Sequence, residues 1–391
     1  MRVLSSCAIL ALVASAIPAA AATETVLYSF PSSNLGNPLG PLLLRKGVLY
    51  GTASGYDAGG DGQVYALSPS KGLWKFQTLV AFDYPQGSIP RAGLAVDASG
   101  ALYGSTGTGG VNGHGTVFRL RKAGGSWVRD TVWDFGGTSD DGTDPESDLM
   151  VDSKGGIYGT TVFGGTNQEG IVFRFSRHGD TWKEDVIRRF DGNNDGYEAE
   201  GGLIMDRKGA LYGTTLKGGF GDYGTAYKLT PSGNSWVESK MHDFANTDGA
   251  LPWAPLVEGT HHTFYGTTIF GGAATIGTVF ALKDSRNGWT RTTIHDFRGP
   301  DGSQPYGALT AGGPGIFYGT TAFGGDHGDG TVFMLSQSAG AWTETVLYSF
   351  AGGGDGINPQ GAVTADGKGH LFGTTYYGGT KRSGTVWEIT L

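Results

Sequence analysis

The residues whose types and spacing most resemble a chemical site lie in one stretch, Asp191-Gly192-Asn193-Asn194-Asp195-Gly196, where oxygen-bearing side chains fall at alternate positions before a glycine. That is the opening of a calcium loop, because a hard cation is held by carboxylate and amide oxygens carried on a tight turn. The twelfth position is Gly202, where the EF-hand form needs a bidentate glutamate, so Glu198 or Glu200 would have to serve in another geometry. Asp191, Asn193 and Asp195 are therefore the candidate metal ligands and calcium the one cofactor the sequence offers. The alternative for the same residues is a solvated Asp-Gly turn.

Trp253, Tyr197 and Tyr306 stand in related loops and have the chemistry of sugar-stacking platforms, or of covers over a chain crossover. His242-Asp243 and His295-Asp296 look like acid–base dyads, yet they recur at positions equivalent to Trp133-Asp134 and are expected on an outer-strand surface. His261-His262 is expected in a hairpin turn. The Gly-x-Ser-x-Gly elbow and the His-Glu-x-x-His helix are both missing from the sequence. Gly219 to Gly224 matches a dinucleotide glycine pattern but precedes a strand rather than a helix, which removes that reading.

What must position these residues is a repeat. Tyr50, Tyr103, Tyr158, Tyr212, Tyr265, Tyr318 and Phe372 recur at intervals of 53, 55, 54, 53, 53 and 54 residues, a constant period that marks one supersecondary unit used seven times. Each unit reads as four short strands. Gly202 to Asp206 gives a first strand, Asp206-Arg-Lys-Gly209 a hairpin turn, and Ala210 to Thr215 a second strand. The pair Gly218-Gly219 then opens a loop into Thr225 to Leu229, and a turn at Pro231 to Gly233 delivers Trp236 and a fourth strand ending at Phe244. The first unit departs from the pattern, with Tyr56-Asp57 in place of the glycine pair. The fifth and sixth replace the hairpin aspartate by Gly259 and Gly312.

Four strands per unit is the content of a propeller blade, so the fold class is all-β, a seven-bladed β-propeller of four-stranded blades spanning residues 23–391. The termini carry the reason to expect a ring. Thr23 to Phe30 reads TETVLYSF, identical to Thr343 to Phe350, and is a last strand without its three predecessors, whereas the C-terminal unit has three strands and no fourth. Pairing of the N-terminal strand with the C-terminal three would complete a sheet and hide two edges. Trp74, Trp127, Trp182, Trp236, Trp289 and Trp342, with one phenylalanine per unit from Phe30 to Phe350, are expected between adjacent sheets. With this strand order one face collects the Gly-Gly loops and the loops with Asp141, Asp195, Asp248, Asp301 and Asp355.

Residues 1–22 have the form of a signal peptide: Arg2, an apolar run from Val3 to Ile17, Pro18, and alanines up to Ala22. The expected location is extracellular or periplasmic, with no later stretch long and apolar enough to span a membrane. Cys7, the only cysteine, would leave with that segment, so no disulfide is expected. A net charge of −8 argues against nucleic acid as partner.

Gly109-Gly110 with Gly115-Thr-Val-Phe118, Gly271-Gly272 with Gly277-Thr-Val-Phe280, and Gly324-Gly325 with Gly330-Thr-Val-Phe333 resemble the GloVer tandem repeat; looser copies begin at Gly164, Gly218 and Gly378. The likeness runs through the mature chain and implies export without implying an activity. A looser likeness is to kelch propellers. The expected function is an exported, noncatalytic, monomeric propeller that binds polysaccharide or an extracellular protein on its loop-rich face. The alternatives are a propeller enzyme acting on a glycan or lactone, and a structural envelope component.

Overall fold

The structure is a computed structural model that describes residues 22–32, 35–192 and 195–391. Apart from Ala22, the expected signal peptide lies outside the described residues. Seven four-stranded antiparallel sheets form a propeller in which the blades follow the repeat. Blade 4 shows the plan: Ile204–Met205, Leu211–Thr215, Thr225–Ser232 and Ser235–Asp243 pair in that order from the inner to the outer strand.

The inner strand is shorter than the sequence pattern implies, and side chains at both of its ends explain this. After it, Asp206 Oδ1 accepts the amides of Lys208 at 2.8 Å and Ala210 at 2.9 Å, while Oδ2 accepts the Tyr212 hydroxyl at 2.9 Å. The chain is thus committed to the turn from Asp206 onward. Before it, the Gly201 carbonyl is taken by Thr160 of the preceding blade at 3.3 Å. In blades 5 and 6, Gly259 and Gly312 replace the aspartate, and the rings of Tyr265 and Tyr318 close over the space. A Cβ there would lie 2.6 and 2.4 Å from them.

Hydrophobic burial is concentrated between blades. Phe30, Phe135, Phe190, Phe244, Phe297 and Phe350 are fully buried. Trp127 meets Tyr50 of the preceding blade edge-on at 6.2 Å, and Trp182–Tyr103, Trp289–Tyr212 and Trp342–Tyr265 repeat the contact at 6.4, 6.4 and 5.8 Å. Each such pair contributes about 0.5–1.5 kcal/mol beyond its area burial. The glycine of the Tyr-Gly-Thr motif has a steric cause: a Cβ on Gly213 would stand 2.4 Å from the Tyr227 hydroxyl of the adjacent strand.

A second tie between blades sets the geometry of the loops. Thr52, Thr160, Thr214, Thr267 and Thr320 each donate a hydroxyl to a carbonyl just ahead of the next blade's inner strand, at 2.7, 3.3, 3.3, 3.2 and 3.0 Å. The loops entering the inner strands are therefore fixed by the blade before them.

The seventh sheet takes its outer strand from the other end of the chain. Thr23–Pro31 runs antiparallel to Arg382–Thr390, beside His370–Thr375 and Thr364–Ala365. Tyr28 on this strand stacks on Phe76 of blade 1, with centroids 4.0 Å apart. The loops leaving the outer strands and the Gly-Gly loops share one face, where they bridge at Ser88–Thr108, Tyr197–Lys217, Ala250–Phe270, Ser303–Phe323 and Ile357–Tyr377.

Candidate functional site at the channel mouth

On that face, one short segment per blade turns down into the central channel. The segments are Pro38-Leu39-Gly40, Pro90-Arg91-Ala92, Pro145-Glu146-Ser147, Ala199-Glu200-Gly201, Pro252-Trp253-Ala254, Pro305-Tyr306-Gly307 and Pro359-Gln360-Gly361. The proline anchors the segment: Pro305 Cδ lies 2.6 Å from where a Cβ of Gly277 would be, and Gly277 has φ 112°, so a glycine is needed there twice over. The residue after the anchor faces the channel, and the seven line one cavity open to solvent.

The blade bodies repeat, but this position does not. It carries Leu39, Arg91, Glu146, Glu200, Trp253, Tyr306 and Gln360 around the ring. Trp253 and Tyr306 meet edge to face, centroids 5.5 Å apart at 73°. Arg91 Nη1 donates to both Glu146 oxygens, at 2.9 and 3.0 Å, and its guanidinium sits 5.5 Å above the Tyr56 ring. Tyr56 and Asp57, which depart from the glycine pair in blade 1, thus stand beside the mouth. Asp57 also accepts a 3.2 Å hydrogen bond from Asn37.

Glu200 is strongly perturbed here. Burial, and then the charges of Glu146 and Glu198, push its carboxyl up to about 8, and its Oε2 is buried with no hydrogen-bond partner among the described residues. It is therefore largely protonated at neutral pH, a donor rather than an anion. Asp148, lower in the same cavity, is also raised by burial, although the Gly93 amide donates to it at 2.6 Å. Burial, and next the nearby Glu200, raises Tyr306. The mouth thus offers an aromatic corner opposite an arc of carboxyl, guanidinium and amide groups.

Of the aromatics singled out by sequence, Trp253 and Tyr306 come together and Tyr197 does not. Tyr197 lies under Lys217, 5.9 Å from ring to ammonium, and donates to Asp222 at 3.3 Å. The calcium candidates sit elsewhere. Asp195 is ion-paired to Arg188 and accepts the Asp191 amide at 3.1 Å, while Asn193 lies outside the described residues. Glu198 pairs with Lys217 at 3.0 Å and Glu200 faces the channel, so the two stand-in glutamates serve other contacts.

The histidines do pair with aspartates, but not with their chain neighbours. His242 Nε2 contacts Asp248 and His295 Nε2 contacts Asp301, both at 2.9 Å. Asp243 instead pairs with Lys240 at 2.8 Å, and Asp296 accepts the Ala273 amide at 3.0 Å. Adjacent residues on a strand point to opposite faces, so a neighbouring dyad cannot close there. His261-His262 occupies the turn Thr260–His262 with φ of 57° and 51°. Arg91, Glu146 and Gln360 drew no attention as single residues. Their signal is positional: they fill the one slot next to the anchoring proline where the repeated units disagree.

Solved structures share the fold at low identity. The extracellular domain of a proposed hybrid two-component system from B. thetaiotaomicron matches with TM-score 0.58 and 11% identity, over 94% of this chain and 43% of that one. An ulvan lyase of a new polysaccharide lyase family matches with TM-score 0.54 and 10% identity, over 93% and 95%. A proposed 6-phosphogluconolactonase from Bacteroides uniformis gives 0.55 and 12%, over 85% and 88%. No curated protein matches the sequence. Together with the glycine loops and seven sheets described above, a family match over residues 15–207 and 180–387 shows that the chain belongs to the Gloeobacter/Verrucomicrobia repeat family.

Proposed function

We propose that this protein is an exported propeller that binds a polysaccharide at the channel mouth, without acting on it. The observation that carries the reading is the contrast between repeated blades and an unrepeated, channel-facing position, filled by Trp253 and Tyr306 on one side and Arg91, Glu146, Glu200 and Gln360 on the other. A sugar ring presents C–H faces that stack on aromatic rings and hydroxyls that both donate and accept, and this set meets both needs. Glu200 as a protonated carboxyl donates to a ring or hydroxyl oxygen, and the Arg91–Glu146 pair supplies a donor and an acceptor.

A melting scan of the protein against a panel of neutral and uronate-containing polysaccharides tests this. A ligand at a hundred times its dissociation constant adds about 2.7 kcal/mol to stability. Trp253→Ala is expected to remove the shift and leave the free protein's melt close to wild type. No shift with any glycan would overturn the reading in favour of a protein partner or a structural role.

A catalytic reading of the same site has one observation behind it. Glu200 is held protonated beside a second carboxyl, the arrangement a general acid needs in glycan cleavage. It is distinguished by product release: loss of sugar release in Glu200→Gln with binding retained would establish an enzyme. Calcium at Asp191, Asn193 and Asp195 remains an auxiliary proposal. Although Arg188 already pairs with Asp195, bound calcium is expected to raise the melt above that in chelator, and equal melts would remove the proposal.

A further inference from the structure

Between adjacent blades the outer strands bring together three positions: the residue two before the buried phenylalanine, the aspartate of the following loop, and the residue six before the next blade's phenylalanine. Between blades 3 and 4 these are Arg188, Asp195 and Glu238. Arg188 ion-pairs with Asp195 and, through Nε, with Glu238 at 2.6 Å. Between blades 4 and 5 they are His242, Asp248 and Arg291, and Arg291 Nη2 reaches the Asp248 carbonyl. In the first groove the guanidinium bonds both carboxylates; in the second it stands at the aspartate's main-chain carbonyl while His242 takes the carboxylate.

Between blades 5 and 6 the same positions hold His295, Asp301 and Glu344, and no arginine stands among the three. One ligand atom from each side chain lies within 4.8 Å of the other two. Glu344 Oε1 is buried and has no hydrogen-bond partner among the described residues. We propose that a divalent transition-metal ion, with zinc the fitting choice, binds here through His295 Nε2, Asp301 and Glu344 in the place the guanidinium takes in the neighbouring grooves.

The donor set argues for the class of ion. One imidazole nitrogen with two carboxylates suits zinc and related ions, whereas calcium prefers six to eight oxygens. Ligand atoms about 2.0–2.2 Å from one ion lie roughly 3–4.4 Å apart, within small side-chain adjustments of the present separations. On binding, the imidazole coordinates through Nε2 as the neutral tautomer with its hydrogen on Nδ1, any proton on the carboxyls or the imidazolium is released to solvent, and the hydrogen bond to Asp301 is replaced by a shared ion, so the two carboxylates and the dication are neutral together.

The other acidic grooves make internal controls. Trp133 with Asp141 and Glu184, and Tyr348 with Asp355 and Glu24, place two carboxyl groups together but offer no imidazole; Tyr348 donates to Asp355 at 3.0 Å instead.

Calorimetric titration of the untagged chain with zinc at pH 7.5 tests the site, with variants that copy one groove into another. Wild type is expected to bind one zinc at the site. Glu344→Arg, which copies the blade 4–5 groove, should remove that event, Glu344→Gln should weaken it at least tenfold, and Arg291→Glu should add a second equivalent. Melting in chelator shows whether each variant folds. Absence of zinc binding by wild type, or the same stoichiometry and affinity in wild type, Glu344→Arg and Arg291→Glu, would overturn the proposal.

Discussion

The junction between blades 6 and 7 and the junction between blades 7 and 1 are built from the same repeat, yet different bonds hold them. At the first, Thr320 donates to the Gly361 carbonyl at 3.0 Å, as in most of the ring. At the second, the matching Thr374 hydroxyl is buried with no partner among the described residues. Two other contacts recur at both junctions: Thr310 donates to the Val363 carbonyl as Thr364 does to that of Leu42, and the Asn358 amide donates to Asp329 at 2.9 Å as the Asn37 amide does to Ser383 at 2.8 Å. Particular to the second is the stack of Tyr28 on Phe76. In blade 7 the threonine's strand and the loop it faces come from opposite ends of the chain, because Thr23–Pro31, and not the C-terminal strand, leads on into blade 1. Trp387 belongs to the same departure, filling a slot that is Phe in most blades and leaving no room for a side chain on Gly373, whose Cβ would lie 2.2 Å from it.

The comparison breaks most completely when the N-terminal strand is removed. Deleting residues 23–30 exposes the edge of Arg382–Thr390 and the face of Phe76, and at about 1 kcal/mol per ladder hydrogen bond the loss is several kcal/mol. The expected result is a large fall in melting temperature or aggregation. A truncated chain that melts normally would show that the seventh sheet does not need its outer strand.

A smaller and sharper test uses the two threonines. Thr320→Val leaves the buried Gly361 carbonyl unpaired and is expected to cost about 1–2 kcal/mol in urea unfolding, whereas Thr374→Val loses no hydrogen bond and is expected to be neutral or slightly stabilising. Equal costs at the two sites would remove the distinction between the junctions.

The smallest effect is in pH. The N-terminal strand brings Glu24 against Asp355 of the preceding blade, and burial, then that charge, raises Glu24 to about 7. A carboxyl raised on folding binds more protons in the native than in the unfolded state. Its contribution is therefore complete below the unfolded value of about 4.3 and is lost as pH rises through the folded one. Stability should fall between about pH 4.5 and 8, with Glu184, Glu200, Glu238 and Glu344 adding to the slope in the same direction. Glu24→Gln should flatten part of that fall in a series of melts across this range, and an unchanged slope would contradict the burial of this group.

Much of this molecule was legible because it is periodic. Residues such as Tyr212, Gly213, Trp236 and Phe244 are placed by local pattern and recur where steric contact demands them, so strand order, blade number and the face that gathers the loops followed from spacing. The inner strands were read too long because the bonds that end them, from Asp206 back to its own turn and from Thr160 across to Gly201, are not visible in an apolar run. His242 and His295 were expected on outer strands and lie there, but their partners were not legible, for a related reason. Proximity along a strand places side chains on opposite faces, and the true partners Asp248 and Asp301 arrive from a loop.

The sequence by itself determined the seven-bladed architecture, since a hydrophobic period of this constancy has to be buried by stacking like units against one another. Only the tertiary structure decided what the ring brings together. Arg91, Glu146, Glu200, Trp253 and Tyr306 are far apart in the chain, and they become a site because closure turns one position from each blade toward a common axis. The same closure removes Glu200 from water and raises its pKa to about 8, a property set by burial and by the charge of Glu146 from another blade as well as by the nearby Glu198.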